Sequence, residues 1–176
     1  MANMCYFEMC VVGKHENIEK IYEALSQSKD VWMGRGASAE ILYDSENKAF
    51  INGECKWSIQ SALIDDAISM RKTPKMWYKL NTDYEYITLW EACEKYDLKM
   101  EVYSEECGIG FQEHYKYVDG DITDECIDWY EYYVDHDEYA TKKAFEEEYE
   151  ISITDDEWKS ADYVSRGGFE SWEFSI

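Results

Sequence analysis

Only one proline and nine glycines occur in the 176 residues, which leaves little material for a flexible linker between domains. No stretch approaches the ~20 apolar residues of a membrane-spanning helix, and the N-terminus lacks the basic start and apolar run of a signal peptide. None of the six cysteines forms a Cys-x-x-Cys pair, so they are most simply free thiols. These absences favour a cytoplasmic protein with one main domain and no membrane partner.

Basic residues are also scarce, because 17 lysines and arginines face 39 acidic residues and the net charge is −22. Residues 113–176 alone hold 20 acidic and 5 basic residues. Direct binding to a nucleic-acid backbone is disfavoured, since it requires cations that replace condensed counterions. The same field favours a basic protein partner. Solubility alone is the other reading of this charge.

The stretch Tyr103–Asp121 is the one place where glycines and carboxylates suggest a ligand loop. "CGIG" lacks the third glycine and the following helix of a dinucleotide fingerprint, so we predict a hairpin turn at Gly108 and Gly110. The Asp-Gly pair at Asp119 predicts a second turn. "DGDITDE" lacks the glycine and glutamate spacing of a calcium loop. We therefore predict no metal site and no cofactor, with a metal-dependent enzyme that uses these carboxylates as the weaker alternative.

The histidines and cysteines suggest no catalytic machinery. His15, His114 and His136 lie far apart, without metal-ligand spacing, and the predicted strand around His114 favours a solvent-facing ring. A nucleophilic pair of Cys107 and His114 is conceivable across the hairpin, but no flanking signature supports it. P-loop, nucleophile-elbow and histidine metal motifs are missing. We predict that the protein is not an enzyme.

Hydrophobic periodicity predicts an order of strand, helix, strand, strand, helix, strand. The predicted elements are a strand at Met4–Val12, a helix over 15–28, two strands around the turn at 45–48, a helix over 59–72, a strand over 75–81, a helix over 85–98, and strands at 99–106 and 111–118. We expect the strand over 99–106 to have one face in water. Further on, 123–134 is ambiguous between strand and helix, 137–150 is a charged helix, Thr154 is a helix cap and 167–176 is a closing strand.

Three stretches of sequence are more specific than this order of strands and helices. They are "NGECKW", the run from Trp77 to Phe111 that ends in an E-x-G-x-x-F turn, and the tyrosine-rich strand after it. Over about residues 1–120 they resemble the YubB-type ferredoxin-like domain carried by plasmids, phages and integrated elements. The resemblance implies an α+β fold, a ferredoxin-like split βαβ antiparallel sheet with extra strands, and a mobile-element setting. It supplies no activity. Here "NGEC" replaces the family's Trp-Gly pair, and residues 121–176 form an acidic, aromatic-rich extension that we expect to pack on the same domain.

The functional prediction depends on the clustered acidic residues. Residues i and i+2 of a strand lie roughly 6.6 Å apart on one face, about the distance between successive phosphates of one DNA strand. Interleaved aromatic rings supply contacts of the kind that dominate interface affinity. The predicted partner-binding residues are Asp119, Asp121, Asp124, Glu125, Asp128, Glu131, Asp135, Asp137, Glu138, Glu146, Glu147, Glu148, Trp129 and Tyr132. Tyr130 and Tyr133 accompany them. Glu146, Glu147 and Glu148 belong with Glu150 to a second acidic cluster, which continues through Asp155, Asp156 and Glu157.

We therefore predict a non-enzymatic acidic inhibitor from a mobile genetic element, acting in the bacterial host cytoplasm. Its partner is a basic, nucleic-acid-binding defence protein such as a CRISPR effector or a restriction enzyme, and DNA mimicry is one mode of action. The alternative is a small cytosolic interaction or regulatory module of unknown partner whose acidity serves solubility. Its functional surface would be an exposed sheet face within residues 1–112.

Overall fold

The computed structural model describes residues 3–33, 38–65, 68, 85–108 and 110–176. They form an α+β fold with a mostly antiparallel seven-stranded sheet and a few helices. The strands are β1 Met4–Val12, β2 Val31–Trp32, β3 Ser38–Ser45, β4 Lys48–Lys56, β5 Glu85–Tyr86, β6 Lys99–Glu106, β7 Phe111–Val118, β8 Asp121–Tyr133 and β9 Tyr163–Gly167. The helices are α1 His15–Leu25, α2 Leu89–Tyr96, α3 Lys142–Tyr149 and α4 Asp155–Ser160, with a π-helical segment at Gln60–Asp65.

The large sheet has the strand order β3-β4-β1-β6-β7-β8-β9, and each neighbouring pair is antiparallel. β2 and β5 form a separate two-stranded parallel pair. The predicted turns between β3 and β4, β6 and β7, and β7 and β8 are confirmed. At the last of these, Asp119 and Gly120 have φ of +53° and +96°, the left-handed backbone of a two-residue hairpin turn.

The main core lies on one face of this sheet, beneath α1, α2 and the π-helical segment. Alternation along β1 turns four fully buried side chains towards these helices: Cys5, Phe7, Met9 and Val11. In α1, Ile18, Ile21 and Leu25 recur at helical spacing and are fully buried. We call the opposite sheet face the outer face; it carries Tyr6, Glu101, Tyr103 and His114.

A second, smaller core lies beyond the main sheet, where the end of β8 meets β9, α3 and α4. Its buried residues are Val134, Phe145, Ile153 and Val164. The predicted charged helix is confirmed as α3, and the predicted cap Thr154 forms a capping box with Glu157 at the start of α4. Apolar packing, the pairing of β8 with β9 and ion pairs hold this cluster together, without a disulfide among the described cysteines.

Two strand predictions are wrong for one shared reason. The closing strand predicted over 167–176 does not form, because β9 ends at Gly167 and residues 168–176 cross the outer face outside the sheet. We call this segment the strap. Beneath it, the outer-face residues Glu101 and Tyr103 of β6 are buried, so β6 has no face in water.

Other expectations meet the limits of the described residues. The strand predicted over 75–81 lies outside them. Of the helix predicted over 59–72, the described part is the π-helical segment Gln60–Asp65 and single positions on either side of it. Among the helices within the described ranges, none is long and apolar enough to cross a membrane.

Candidate functional site

Strand β8 carries a dense run of unopposed negative charge. Residues 121–138 contain eight carboxylates and no lysine or arginine. Seven of these side chains are exposed and, in the described part of the chain, form no ion pair: Asp121, Asp124, Glu125, Asp128, Glu131, Asp137 and Glu138. We call these seven residues the β8 acidic surface. A surface of unpaired carboxylates attracts cationic groups and resists packing against other acidic surfaces.

The acidic residues along β8 are spaced more widely than the successive phosphates of a DNA strand, which the sequence predicts them to match. Glu125 lies opposite His114 and so on the outer face, whereas Asp124 lies opposite Tyr115 and so on the helix-facing side. Acids on the same side of β8 are four or six residues apart, which is about 13 or 20 Å along a strand. The expected 6.6 Å spacing is therefore wrong for β8, because its acidic residues do not alternate with single neutral ones. The closest same-side pairs match every second phosphate.

Several other predicted acids are engaged within the protein. Asp119 pairs with Lys99 at 3.0 Å, and Glu147 with Lys143 at 3.2 Å. Glu146 accepts a hydrogen bond from the Ile153 amide at 3.0 Å. These contacts lower their availability to a partner.

Asp135 also serves the local backbone, because its Oδ1 accepts hydrogen bonds from the amides of Asp137 and Glu138 at 2.8 and 3.1 Å. Glu148, in contrast, is exposed on α3. It lies on the helix that packs over the second core.

Two members of the second acidic cluster, Asp155 and Glu157, pair with cations around α4. Arg166 Nη1 lies 3.1 Å from Glu157 Oε1, and hydrogen bonds from Arg166 and from the Thr154 amide lower the pKa of Glu157 to about 2. Lys142 lies 2.9 Å from Asp155 Oδ1 and lowers the pKa of that carboxyl in the same way. These carboxylates secure the second core and are poor candidates for partner binding.

The two aromatic residues predicted to bind a partner, Trp129 and Tyr132, are not the exposed ones. Trp129 is only 9% exposed, and Tyr132 is half-buried against Tyr149, with ring centroids 5.2 Å apart. The most exposed rings of β8 and β9 are those of Tyr133 and Tyr163, which are 54% and 56% exposed, and Tyr130 is exposed as well.

Tyr133 and Tyr163 lie opposite each other in the pairing of β8 with β9, with ring centroids 5.2 Å apart. Sequence reasoning missed Tyr163, because no local signal indicates that 163–167 pairs with the end of β8. Amphipathic tyrosines beside acidic groups suit an interface with cationic side chains.

The histidine expected to face solvent is instead packed beneath the strap. The ring of His114 stacks on Tyr103 with centroids 4.2 Å apart and planes 9° apart. Its Nε2 lies 2.9 Å from Glu101 Oε1. Because the antiparallel register of β6 and β7 places His114 opposite Tyr103, both rings share the outer face that the strap covers.

Glu101 is the polar centre of this covered region and is 1% exposed. Its Oε2 accepts a hydrogen bond from the Ser175 amide at 2.6 Å. Burial alone raises the pKa of Glu101, but hydrogen bonds from the Ser175 amide, His114 and the Ser175 hydroxyl, with the nearby charge of Lys116, hold it below its ordinary value of 4.5. The carboxylate is thus the form that binds the strap.

This arrangement predicts that acid releases the strap. A depressed pKa stabilises the attached strap above the ordinary carboxyl value and loses that effect as pH falls through the lowered pKa. The Ser175 amide resonance should keep its attached position from pH 7 to about 5 and shift below about 4.5. Glu101→Gln should abolish this transition, and an unchanged titration in that variant would assign it to another group.

Nothing in the described part of the chain assembles a metal or nucleophile site. No group of three histidine, cysteine or acidic side chains there is arranged to hold a metal ion. Cys107 lies in the turn after β6, whereas His114 lies opposite Tyr103, well along the hairpin. Burial and the charges of Glu105 and Glu131 raise the pKa of the Cys107 thiol, which disfavours the thiolate that a nucleophile requires.

A comparison of the chain with known protein families, with curated proteins and with solved structures finds no match in any of the three.

Proposed function

We propose that the protein is a non-enzymatic inhibitor that blocks the basic groove of a nucleic-acid-binding partner, with the β8 acidic surface as its contact region. The observation that supports this most is the exposure of seven carboxylates to which the described residues offer no ion-pair partner. Their side chains are therefore accessible to the cationic groups of a partner. Electrostatic steering by such a surface raises the rate of association with a basic partner. This effect falls steeply as the salt concentration rises.

The exposed tyrosines give the same surface an apolar component. Tyr133 and Tyr163 lie at the end of β8, beside Glu131 and Ser165, which face each other across the β8–β9 pair. Arginine guanidinium groups stack on tyrosine and pair with carboxylates, and nucleic-acid-binding grooves are rich in arginine. The proposed partner surface is therefore an arginine-containing groove that otherwise binds phosphates.

The order of strands and helices supports the mobile-element setting that we propose for the protein. The order β3-β4-β1-β6, with α1 after β1 and α2 before β6, supports the ferredoxin-like arrangement and with it the YubB-type resemblance. Proteins of that kind are carried by mobile elements, whose hosts defend themselves with nucleic-acid-binding machines. A CRISPR effector or a restriction enzyme is accordingly the proposed class of partner, and β8 spacing supports partial rather than phosphate-by-phosphate mimicry of DNA.

Neutralising the five members of the β8 acidic surface that lie on β8 itself should weaken partner binding about 100-fold at low salt, because five rim charges contribute roughly 0.2–1 kcal/mol each. The variant carries Asp121→Asn, Asp124→Asn, Glu125→Gln, Asp128→Asn and Glu131→Gln. The matched control removes five exposed acids elsewhere: Glu16→Gln, Glu40→Gln, Asp44→Asn, Glu46→Gln and Glu54→Gln. Partners are captured from bacterial lysate at 50 and 200 mM salt and identified by mass spectrometry, and their affinities are then measured with purified proteins.

The proposal requires three results together. The captured partner must bind nucleic acid, its nucleic acid must compete with this protein, and the β8 variant must lose both affinity and salt dependence while the control keeps them. A salt-resistant partner that binds both variants equally would instead support the interaction-module alternative. Calorimetric binding of magnesium, manganese or calcium would favour the metal-dependent alternative.

A further inference from the structure

The strap occupies the outer face with a regular pattern of aromatic side chains. Trp172 stacks on Tyr103, with centroids 5.7 Å apart and planes 13° apart, and on Tyr6, with centroids 6.4 Å apart. Phe174 lies 5.6 Å from the Tyr103 ring and 5.7 Å from the Phe50 ring. Two rings at alternate positions of an extended segment therefore fill a surface built from three neighbouring strands.

Polar contacts fix the position of the strap along this surface. The Phe169 amide donates to Gln112 Oε1 at 2.8 Å, and the Ser175 amide donates to Glu101 Oε2 at 2.6 Å. Lys116 Nζ donates to the Ser175 hydroxyl at 2.6 Å. The outer face thus recognises backbone amides at two points and a hydroxyl side chain at one, which are the features by which a protein binds an extended peptide.

The strap is held to the rest of the chain by contacts that involve side chains, and not by pairing with a strand. Among the described residues, 169–176 make no backbone-to-backbone hydrogen bond, and their aromatic side chains are only half-buried. Segments with few buried contacts and no hydrogen-bonded ladder open at low free-energy cost.

A glycine pair forms the base of the strap. Gly167 and Gly168 have φ of +75° and +79°, which non-glycine residues rarely adopt. A Cβ atom at Gly167 would lie 2.3 Å from the Asp128 carbonyl oxygen. This pair redirects the chain from β9 onto the outer face, so detachment of the strap beyond Gly168 leaves the β8–β9 pairing in place.

We propose that the outer face is a binding site for an extended peptide of a partner protein, with aromatic residues at two alternate positions followed by a hydroxyl residue, and that the strap occupies this site in cis. The strap segment Trp172–Ser175 has this pattern. A peptide suits the surface better than a single-stranded nucleic acid, because Glu101 and Glu105 on the same face repel phosphates. The site shares the outer face with Glu125 of the β8 acidic surface, but the rings that hold the strap lie on β1, β4 and β6, and the test below changes none of the β8 acids.

The test uses the full chain with Trp172→Ala and Phe174→Ala, which remove the two rings that hold the strap. The probe is a fluorescein-labelled peptide of residues 168–176. Hydrogen exchange of the Ser175 amide should become faster in this variant. The peptide should bind the variant at least about 10-fold more tightly than it binds the wild type, because the wild-type strap competes at the millimolar effective concentration of a short tether.

Two controls locate the binding. Glu170→Gln with Ser171→Ala changes two exposed strap residues and should leave the site blocked, as in the wild type. Adding Tyr103→Ala to the released variant should abolish peptide binding. If circular dichroism shows that this variant does not fold, Gln112→Ala takes its place, since it removes the acceptor of the Phe169 amide.

Three outcomes would overturn the proposal. The first is equal peptide affinity for wild type and released variant, and the second is unchanged Ser175 protection in the released variant. The third is a wild-type dimer, seen by light scattering, that the Trp172→Ala and Phe174→Ala changes convert to a monomer. That result would make the occupant the strap of a second copy of the chain.

Discussion

Replacing Glu113 by alanine is expected to lower the free energy of unfolding by about 3–5 kcal/mol, because several donors would lose their common acceptor inside the core. Glu113 is 4% exposed on the helix-facing side of β7. Its carboxylate accepts hydrogen bonds from the Ile59 amide at 2.8 Å, the Ser104 hydroxyl at 2.9 Å and the Tyr115 hydroxyl at 2.8 Å. The residue thus ties the start of the π-helical segment to two strands.

Urea unfolding followed by circular dichroism measures this effect. Glu113→Gln keeps the shape but turns an amide NH₂ towards donors, so it should cost less, about 1–3 kcal/mol. Glu125→Ala, an exposed acid on the adjacent strand, should stay within about 0.5 kcal/mol of the wild type. An alanine variant no less stable than the glutamine variant would show that the buried carboxylate is not a structural acceptor.

Replacing Phe145 by alanine is expected to unfold the second core while the main sheet remains. Phe145 is fully buried among Tyr139, Tyr149 and Trp158, with ring centroids 5.4, 5.0 and 5.9 Å away. Removing a buried phenylalanine ring costs about 3–5 kcal/mol. Phe145 is the largest of the four buried residues in this cluster, and the other apolar residues around them are only partly buried, so its loss leaves little to keep α3 and α4 attached.

Hydrogen exchange with mass spectrometry separates local from global loss. Peptides over 139–160 should lose protection in Phe145→Ala, while peptides from β1 and β6 keep theirs. Phe145→Leu is the conservative control and should retain protection in both regions. Phe7→Ala, in the main core, should instead lower protection throughout the sheet, and the same global pattern in Phe145→Ala would show that the two cores unfold as one unit.

Local sequence patterns predict five of the seven strands of the main sheet, namely β1, β3, β4, β6 and β7, and the turns between β3 and β4, β6 and β7, and β7 and β8. Phe7 and Met9 alternate with outward residues, and Ile18 and Ile21 recur at helical spacing, so periodicity predicts which side faces the core. The Asp119-Gly120 pair and Thr154 predict a turn and a helix start because their backbone preferences are intrinsic to the residues.

The misassigned features depend on distant partners. Glutamate is mostly exposed in proteins, so the sequence gives no reason to expect that Glu113 is buried. Its burial depends on hydrogen bonds from Ile59 and Ser104, and no local sequence pattern reveals these donors. The strap alternates like a strand, but a strand needs a partner with free backbone groups, and the Gly167–Gly168 turn directs the strap onto the outer face instead. For β8, aromatic density favours neither strand nor helix until the pairing with β7 and β9 is known.

Strand β8 pairs with β7 through Asp121–Asp128 on one edge and with β9 through Trp129–Tyr133 on the other. Its backbone is therefore held along its whole length before any partner arrives. A partner that docks on it would not have to order a loop, an ordering step that commonly costs about 0.5–1.5 kcal/mol for each immobilised side chain and more for the backbone. The loss of conformational entropy on association would then fall mainly on the side-chain rotamers of the carboxylates, so even modest charge contacts would translate into measurable affinity.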